Sequence, residues 1–511
     1  MTTSRIPLIA RAETGDLSRI AIRDERGVYT YRQLLDVSAR VASNLLEAVA
    51  ARADGECRDL EGARVAFIVH SSFEYVAVQW GIWRAGGIAV PLCTLHPPGE
   101  LAYVIENADA ALVLAGDDFM ERLEPVCAGQ KRKLASIRQA MEGNAAVPLP
   151  NVAADRGAML VYTSGTTSRP KGALSTHATL AAQISSLIEA WEWTERDAIL
   201  LFLPLHHLHG IVNVLCCALW AGATCEMMPQ FDAGKVWARL LEGGLTLFMA
   251  VPTIYVRLVK AWRESTPEEQ ARMTAACRAL RLMVSGSAAL PVTTLREWEA
   301  ISGHFLLERY GMTEIGMGLS NPLHGERKAG FVGAPLPGVE VRLVDENFCA
   351  VPDGEPGEIQ VRGAAVFREY WRRPKATAEA FVDGWFRTGD VAVCERGSYR
   401  ILGRNSVDII KTGAYKVSAL EIEEVLRNHP AIDQCAVVGV EDAEWGERVC
   451  AAVTLKEGEA LDLPALRAWA KGELAVYKVP SRLHVMEELP RNAMGKVVKP
   501  DLVKIFKELE G

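Results

Sequence analysis

The sequence predicts an α/β protein with a large N-terminal domain and a smaller α+β C-terminal domain. The large domain should combine helix-covered sheets with a small β-barrel. Three observations lead there. The chain has 511 residues, too many for one ordinary core, so at least two folded units are expected. Up to about residue 330, short apolar runs alternate with stretches of helical apolar spacing. From 331 onward the runs shorten, alternate and are broken by Gly and Asp.

Residues 32–49 place apolar side chains one helical turn apart and predict a helix. Residues 63–69 (ARVAFIV) predict a buried strand. Residues 73–86 return to helix, ending at Gly86 and Gly87, and 87–92 are strand again. This strand–helix–strand rhythm implies parallel sheets covered by helices, and it repeats over 197–229, 246–260 and 280–300. The runs GVEVRLVD, GEIQVRG, DGWFRTGDVAVCE and SYRILGR predict antiparallel strands of a small barrel. After Gly403 the texture changes once more: a helix over 418–429, strands CAVVGV and CAAVTL, and a helix near 464–475. The domains are therefore placed at 1–403 and 404–511. No internal repeat or low-complexity segment is evident.

The net charge of −8 is a poor match for a nucleic-acid backbone, so no nucleic-acid partner is expected. Eleven cysteines are scattered, with only Cys216 and Cys217 adjacent, which fits reduced thiols. No apolar run reaches the length of a membrane span, roughly 18 residues. The start carries Arg5 and Arg11, a short apolar stretch, then Glu13 and Asp16, which does not read as a secretory signal. The expected location is the cytoplasm. Oligomeric state is left open.

The chemistry concentrates in a few strings. YTSGTTSRPKG (162–172) follows the apolar run AMLVY, so it is a loop leaving a strand. Its small residues Thr163, Ser164, Gly165, Thr166 and Thr167 let backbone N–H groups approach phosphate oxygens, and Lys171 adds a positive charge. It is not a Walker loop, which needs its lysine directly after a glycine; here Lys171 precedes Gly172.

YTSGTTSRPKG resembles the phosphate loop of the adenylate-forming superfamily of acyl-CoA synthetases, luciferases and adenylation domains. Four further strings resemble that superfamily in the same order: Ser285-Gly286-Ser287-Ala288, ERYGMTE (308–314), WFRTGD (385–390) and PRNAMGK (490–496). The first 150 residues agree by texture only. The resemblance implies ATP, Mg²⁺ and coenzyme A as cofactors and co-substrates. It places adenine and the acyl group on Gly286, Ser287 and Ala288, and adenine against the ring of Tyr310. Thr313 and Glu314 would serve catalysis and the magnesium ion. Asp390 and Arg404 would hold the ribose, and Lys496 would neutralise charge during adenylation. It also implies a mobile C-terminal domain that turns between two half-reactions about a hinge among Ser406, Val407 and Asp408. Two positions depart from the superfamily: Ser168 and Ala414 stand where glycine is usual.

Charged groups near the expected acyl pocket suggest the acid. Arg309 directly precedes Tyr310, and LPLHHLHG (203–210) brings His207, usual in the superfamily, and His209, expected to line the pocket with Met317. A cation beside an acyl pocket is costly unless an anion meets it, which points to a second carboxylate on the substrate. ERYGMTEIGMGLSNP and SVDIIKTGAYKVSALEIE resemble malonyl-CoA synthetases, so malonate or methylmalonate is expected. The alternative for Arg309 is an internal pair with Glu308, Glu314 or another acid. The His and Cys residues of 206–217 fit no common zinc spacing. Rival readings are a short-chain monocarboxylate–CoA ligase, an adenylation enzyme that loads a carrier protein, and a non-catalytic nucleotide-binding regulator.

Overall fold

The computed structural model describes residues 6–49, 59–145, 147–163, 170–405, 407–412, 415–442, 445–491 and 497–509. Two sheets with mainly parallel centres form the frame. One has seven strands, ordered Glu369–Tyr370, Lys171–Thr176, Gly157–Thr163, Ile88–Pro91, Arg64–Ile68, Leu112–Ala115 and Lys133–Ser136. Its inner strands are parallel, and the Gly157–Thr163/Lys171–Thr176 hairpin is antiparallel. The other has nine strands and runs through Gly316–Ser320, Leu307–Met312, Leu282–Gly286, Leu247–Ala250 and Ala198–Leu201. Strands such as Leu247–Ala250 and Leu112–Ala115 are buried at every residue, because helices cover both faces. That is why they read as unbroken apolar runs.

The predicted helices appear as Tyr31–Val49, Phe73–Arg84, Pro252–Arg263 and Val292–Ser302. Phe73–Arg84 stops short of the predicted end, and Gly86 takes φ +79° just beyond it. Within 197–229 the connection is unusual: His209–Cys216 is a π-helix that runs into the helix Cys217–Ala221. The small barrel is a five-stranded antiparallel sheet in which Trp385–Glu395 pairs with Gly357–Gly363, Phe381–Val382 and Ser398–Arg404. Among the described residues no helix is long and apolar enough to cross a membrane.

A separate five-stranded sheet starts at Ile409 and carries the helices Ala419–Leu426, Leu463–Glu473 and Lys499–Glu508. Its edge strand Ile432–Asp442 alternates between two cores. Cys435 and Val437 join a core with Ile422, Leu426 and Leu466, while Ala436, Val438 and Val440 join one with Leu489, Leu502 and Phe506. The helix predicted over 418–429 ends at Leu426, ahead of Pro430, which disfavours helix in the residue before it.

Polar contacts tie this sheet to the rest. Asp408 accepts from the backbone N–H of Arg404 at 3.0 Å and from Lys499 Nζ at 2.6 Å. Lys499 also meets Glu423 Oε1 at 2.7 Å. Burial opposes its charge, but Glu423 and Asp408 outweigh that and hold its pKa above the ordinary value. Glu424 Oε1 accepts the N–H of Val292, the first residue of Val292–Ser302, at 2.8 Å.

Lys499→Ala would take the shared cation from half-buried Asp408 and buried Glu423, leaving Glu423 only Arg427 Nη2, at 3.4 Å, as a cation among the described residues. The C-terminal unfolding transition in a urea titration should lose about 3–5 kcal/mol. An unchanged midpoint would mean the trio does not support this unit.

Candidate active site

The phosphate-loop string is framed by a hairpin. Thr163 and Lys171 face each other in register, and Thr163 Oγ1 donates to the carbonyl of Lys171 at 3.4 Å. Ser164, Gly165, Thr166, Thr167 and Ser168 lie outside the described residues, as do Ser406, Ala414 and Lys496. The Lys171 ammonium sits 4.8 Å from the ring centroid of Tyr370. Tyr370 belongs to a two-residue edge strand paired with Lys171–Thr176, and its hydroxyl donates to Glu314 Oε1 at 2.7 Å. Burial raises the Glu314 carboxyl above its ordinary pKa, opposed by that hydroxyl, by Arg404 and by Lys171. Thr313 is partly exposed beside it.

A second group gathers at the small antiparallel sheet. Asp390 and Arg404 are register partners on neighbouring strands, and Arg404 Nε meets Asp390 Oδ1 at 3.1 Å. The Tyr310 hydroxyl donates to Asp390 Oδ2. Burial raises Asp390, and Arg404 and Tyr310 oppose it. Each carboxylate oxygen thus has one partner already, and a carboxylate has about four acceptor sites. Two acceptor sites remain.

The third group lies around Arg309, where the sequence reading expects the acyl pocket. Arg309 lies opposite Gly286 in the parallel ladder of Leu307–Met312 and Leu282–Gly286. A Cβ on Gly286 would fall 2.6 Å from the Arg309 guanidinium carbon, so the missing side chain is what admits the arginine. Arg309 is 3% exposed. Its Nη2 donates to Ser287 Oγ at 3.3 Å, while Nε and Nη1 have no partner. Ser287 Oγ also contacts His209 Nδ1 at 3.2 Å, and His209 Nε2 is unpartnered. Ser287 holds φ +68°, a strained conformation for a non-glycine residue. Burial lowers Arg309 to about 9, which leaves it charged at neutral pH. Burial, then Arg309 and His207, hold His209 well below its usual value and therefore neutral.

The internal pairing considered for Arg309 is not formed among the described residues. Glu308 points to the other face of the strand, where burial pushes it up to about 8, and Glu314 is taken by Tyr370. Met317 packs against Gly311 on the wall of this strand pair. The His207 ring is tilted against that of His206, with centroids 4.1 Å apart. Ala288 follows Ser287 on the same turn and is exposed. Two features escaped the sequence reading: the part of Tyr370, and the Ser287 hydroxyl joining Arg309 to His209.

The family model described as AMP-binding enzyme matches residues 9–371, and that of the AMP-binding enzyme C-terminal domain matches 421–496. The chain belongs to the AMP-binding enzyme family. Among its relatives in that family, the mitochondrial malonate–CoA ligase of Mus musculus is 47% identical, over 98% of this chain and 91% of the relative. Among solved AMP-binding enzymes, ATP-bound MatB from Rhodopseudomonas palustris is 34% identical, with TM-score 0.90 over 99% of this chain and 100% of that one. A malonyl-CoA ligase with methylmalonyl-CoA and AMP bound is 35% identical, with TM-score 0.68 over 95% and 100%.

In this AMP-binding enzyme a buried cation without an acid should weaken the ligand-free fold. Arg309→Met should therefore raise the melting temperature of the ligand-free protein, a gain of about 1–4 kcal/mol. A lowered melting temperature would reveal a structural partner for Arg309.

Proposed function

We propose that this AMP-binding enzyme joins malonate to coenzyme A through a malonyl-adenylate, and that methylmalonate, which has the same two carboxylates, is also accepted. Arg309 carries the reading: a buried guanidinium with two unpartnered nitrogens beside Ser287 and a neutral His209. A methyl-ended acid would leave that cation desolvated and unpaired, whereas a distal carboxylate neutralises it. The names of the relatives point the same way.

In the first half-reaction a malonate carboxylate oxygen attacks the α-phosphorus of ATP and pyrophosphate leaves. In the second, the coenzyme A thiol attacks the acyl carbonyl and AMP leaves. Lys171 and the loop from Thr163 to Thr167 would cradle the phosphates. Tyr310 and the Gly286–Ser287–Ala288 turn would support adenine, and Asp390 with Arg404 the ribose. His207 would border the reacting carboxylate, and Met317 the acyl wall. Thr313 and Glu314 offer a hydroxyl and a held carboxylate, too few donors to cage a cation alone but suited to Mg²⁺ that arrives on phosphate oxygens; the ion would offset their negative charge.

The units 1–403 and 404–511 are proposed as the two bodies that reorient between half-reactions, with the hinge among 406–408. Similar identity to two relatives, 34% and 35%, with TM-scores of 0.90 and 0.68, supports such a change of arrangement. The ten described cysteines are all free, which fits a reducing compartment. The cytoplasm is the proposed compartment, while the mouse relative is named mitochondrial.

The direct test supplies ATP, Mg²⁺, coenzyme A and a panel of acids, and measures AMP and acyl-CoA. Malonate should lead the panel. Arg309→Leu should lose malonate activity several-hundredfold, from about 3–5 kcal/mol of lost pairing, while keeping or gaining propionate and butyrate turnover. Wild-type preference for acetate or butyrate would favour the short-chain monocarboxylate reading instead.

Lys496→Ala should slow adenylation about 10²–10³-fold, while thioester formation from supplied malonyl-adenylate survives. Equal loss in both halves would remove Lys496 from its assigned step.

A further inference from the structure

Tyr370 lies outside every motif that marks the nucleotide site, yet it touches two of its charged groups. Its hydroxyl donates to Glu314 Oε1 at 2.7 Å, and its ring lies 4.8 Å from the Lys171 ammonium. Both contacts are sheltered, because Tyr370 and Glu314 are buried. The backbone around it is pinned on both sides. The N–H of Trp371 donates to Gly172 O at 2.8 Å, that of Arg368 to Leu174 O at 2.8 Å, and that of Phe367 to Glu314 O at 2.7 Å. One short edge strand therefore clamps the strand that bears Lys171 and the turn that bears Glu314.

We propose that Tyr370 is a positioning residue that presets Glu314 and Lys171 for the metal-bound triphosphate. The hydroxyl commits only one carboxylate oxygen and leaves the other for a cation. The ring face attracts the lysine cation sideways without neutralising it, so no carboxylate competes with the phosphates for that charge. A salt bridge between Lys171 and Glu314 would tie up both groups before ATP arrives; none forms, and the tyrosine stands between them. Phe at this position would keep the ring and lose only the hydroxyl. Leu would lose both.

This inference rests on the assignment of Glu314 to the cation and Lys171 to the phosphates. The experiment measures ATP dissociation constants by calorimetry on the full chain, in EDTA and in excess Mg²⁺, together with melting temperatures. Tyr370→Phe should leave the EDTA value near wild type and lower the melting temperature only by the one buried hydrogen bond lost. It should lose about tenfold of the tightening that Mg²⁺ provides, the worth of one hydrogen bond to a charged group. Tyr370→Leu should in addition weaken binding in EDTA about threefold, as Lys171 loses its ring. Full Mg²⁺-dependent tightening in Tyr370→Phe overturns the proposal. Glu314→Gln separates the levels. If it abolishes the Mg²⁺ effect while Tyr370→Phe does not, only the tyrosine's role falls. If Glu314→Gln itself keeps the effect, the assignment of Glu314 falls and the proposal with it.

Discussion

A guanidinium shut away from water without an acid beside it constrains everything packed around Arg309. Its neighbours must be small, neutral or donor-accepting, and each one is. Gly286 contributes no side chain where the planar group lies. Ser287 accepts one N–H from a backbone conformation that serine rarely adopts. His209, kept neutral by the same burial, completes the wall from the first turn of a π-helix. Such helices recur at functional sites because the widened turn re-aims a side chain. Strain, burial and charge all converge on this one guanidinium.

The strand Leu307–Met312 turns that constraint into a ruler for the whole reaction. Alternation sends Arg309 toward Ser287 and Tyr310 to the other side, where its hydroxyl meets Asp390. Glu314 follows just beyond the strand's end and reaches Tyr370. Arg309, Tyr310 and Glu314 are thus spaced by one short piece of backbone. Two further strand pairs, Asp390 with Arg404 and Thr163 with Lys171, close the outline from other sheets.

Much of this was legible in the residues. Buried parallel strands announced themselves as apolar runs, and the order of five polar strings marked the family. What stayed hidden depends on pairing across long stretches of chain. Tyr370 meets Lys171 only because a two-residue strand adds to a sheet edge about 200 residues away in sequence, and two residues carry no periodicity to read. Glu424 looks like any acidic residue on an amphipathic helix, yet it accepts from the first N–H of Val292–Ser302 in the large unit. The link from Arg309 through Ser287 to His209 joins three distant segments and depends on a backbone angle that no pattern of residue types reveals.

The contact between Arg309 and the bare backbone of Gly286 has an evolutionary consequence. Any side chain at 286 would force the guanidinium to shift, so position 286 is constrained while 309 remains arginine. A lineage shifting toward another acid must change 309 first. Only then does 286 become free to vary, and each residue it later accepts would bar the way back. The pair behaves as a ratchet, and ancestral states at these two sites should show the arginine disappearing before the glycine does.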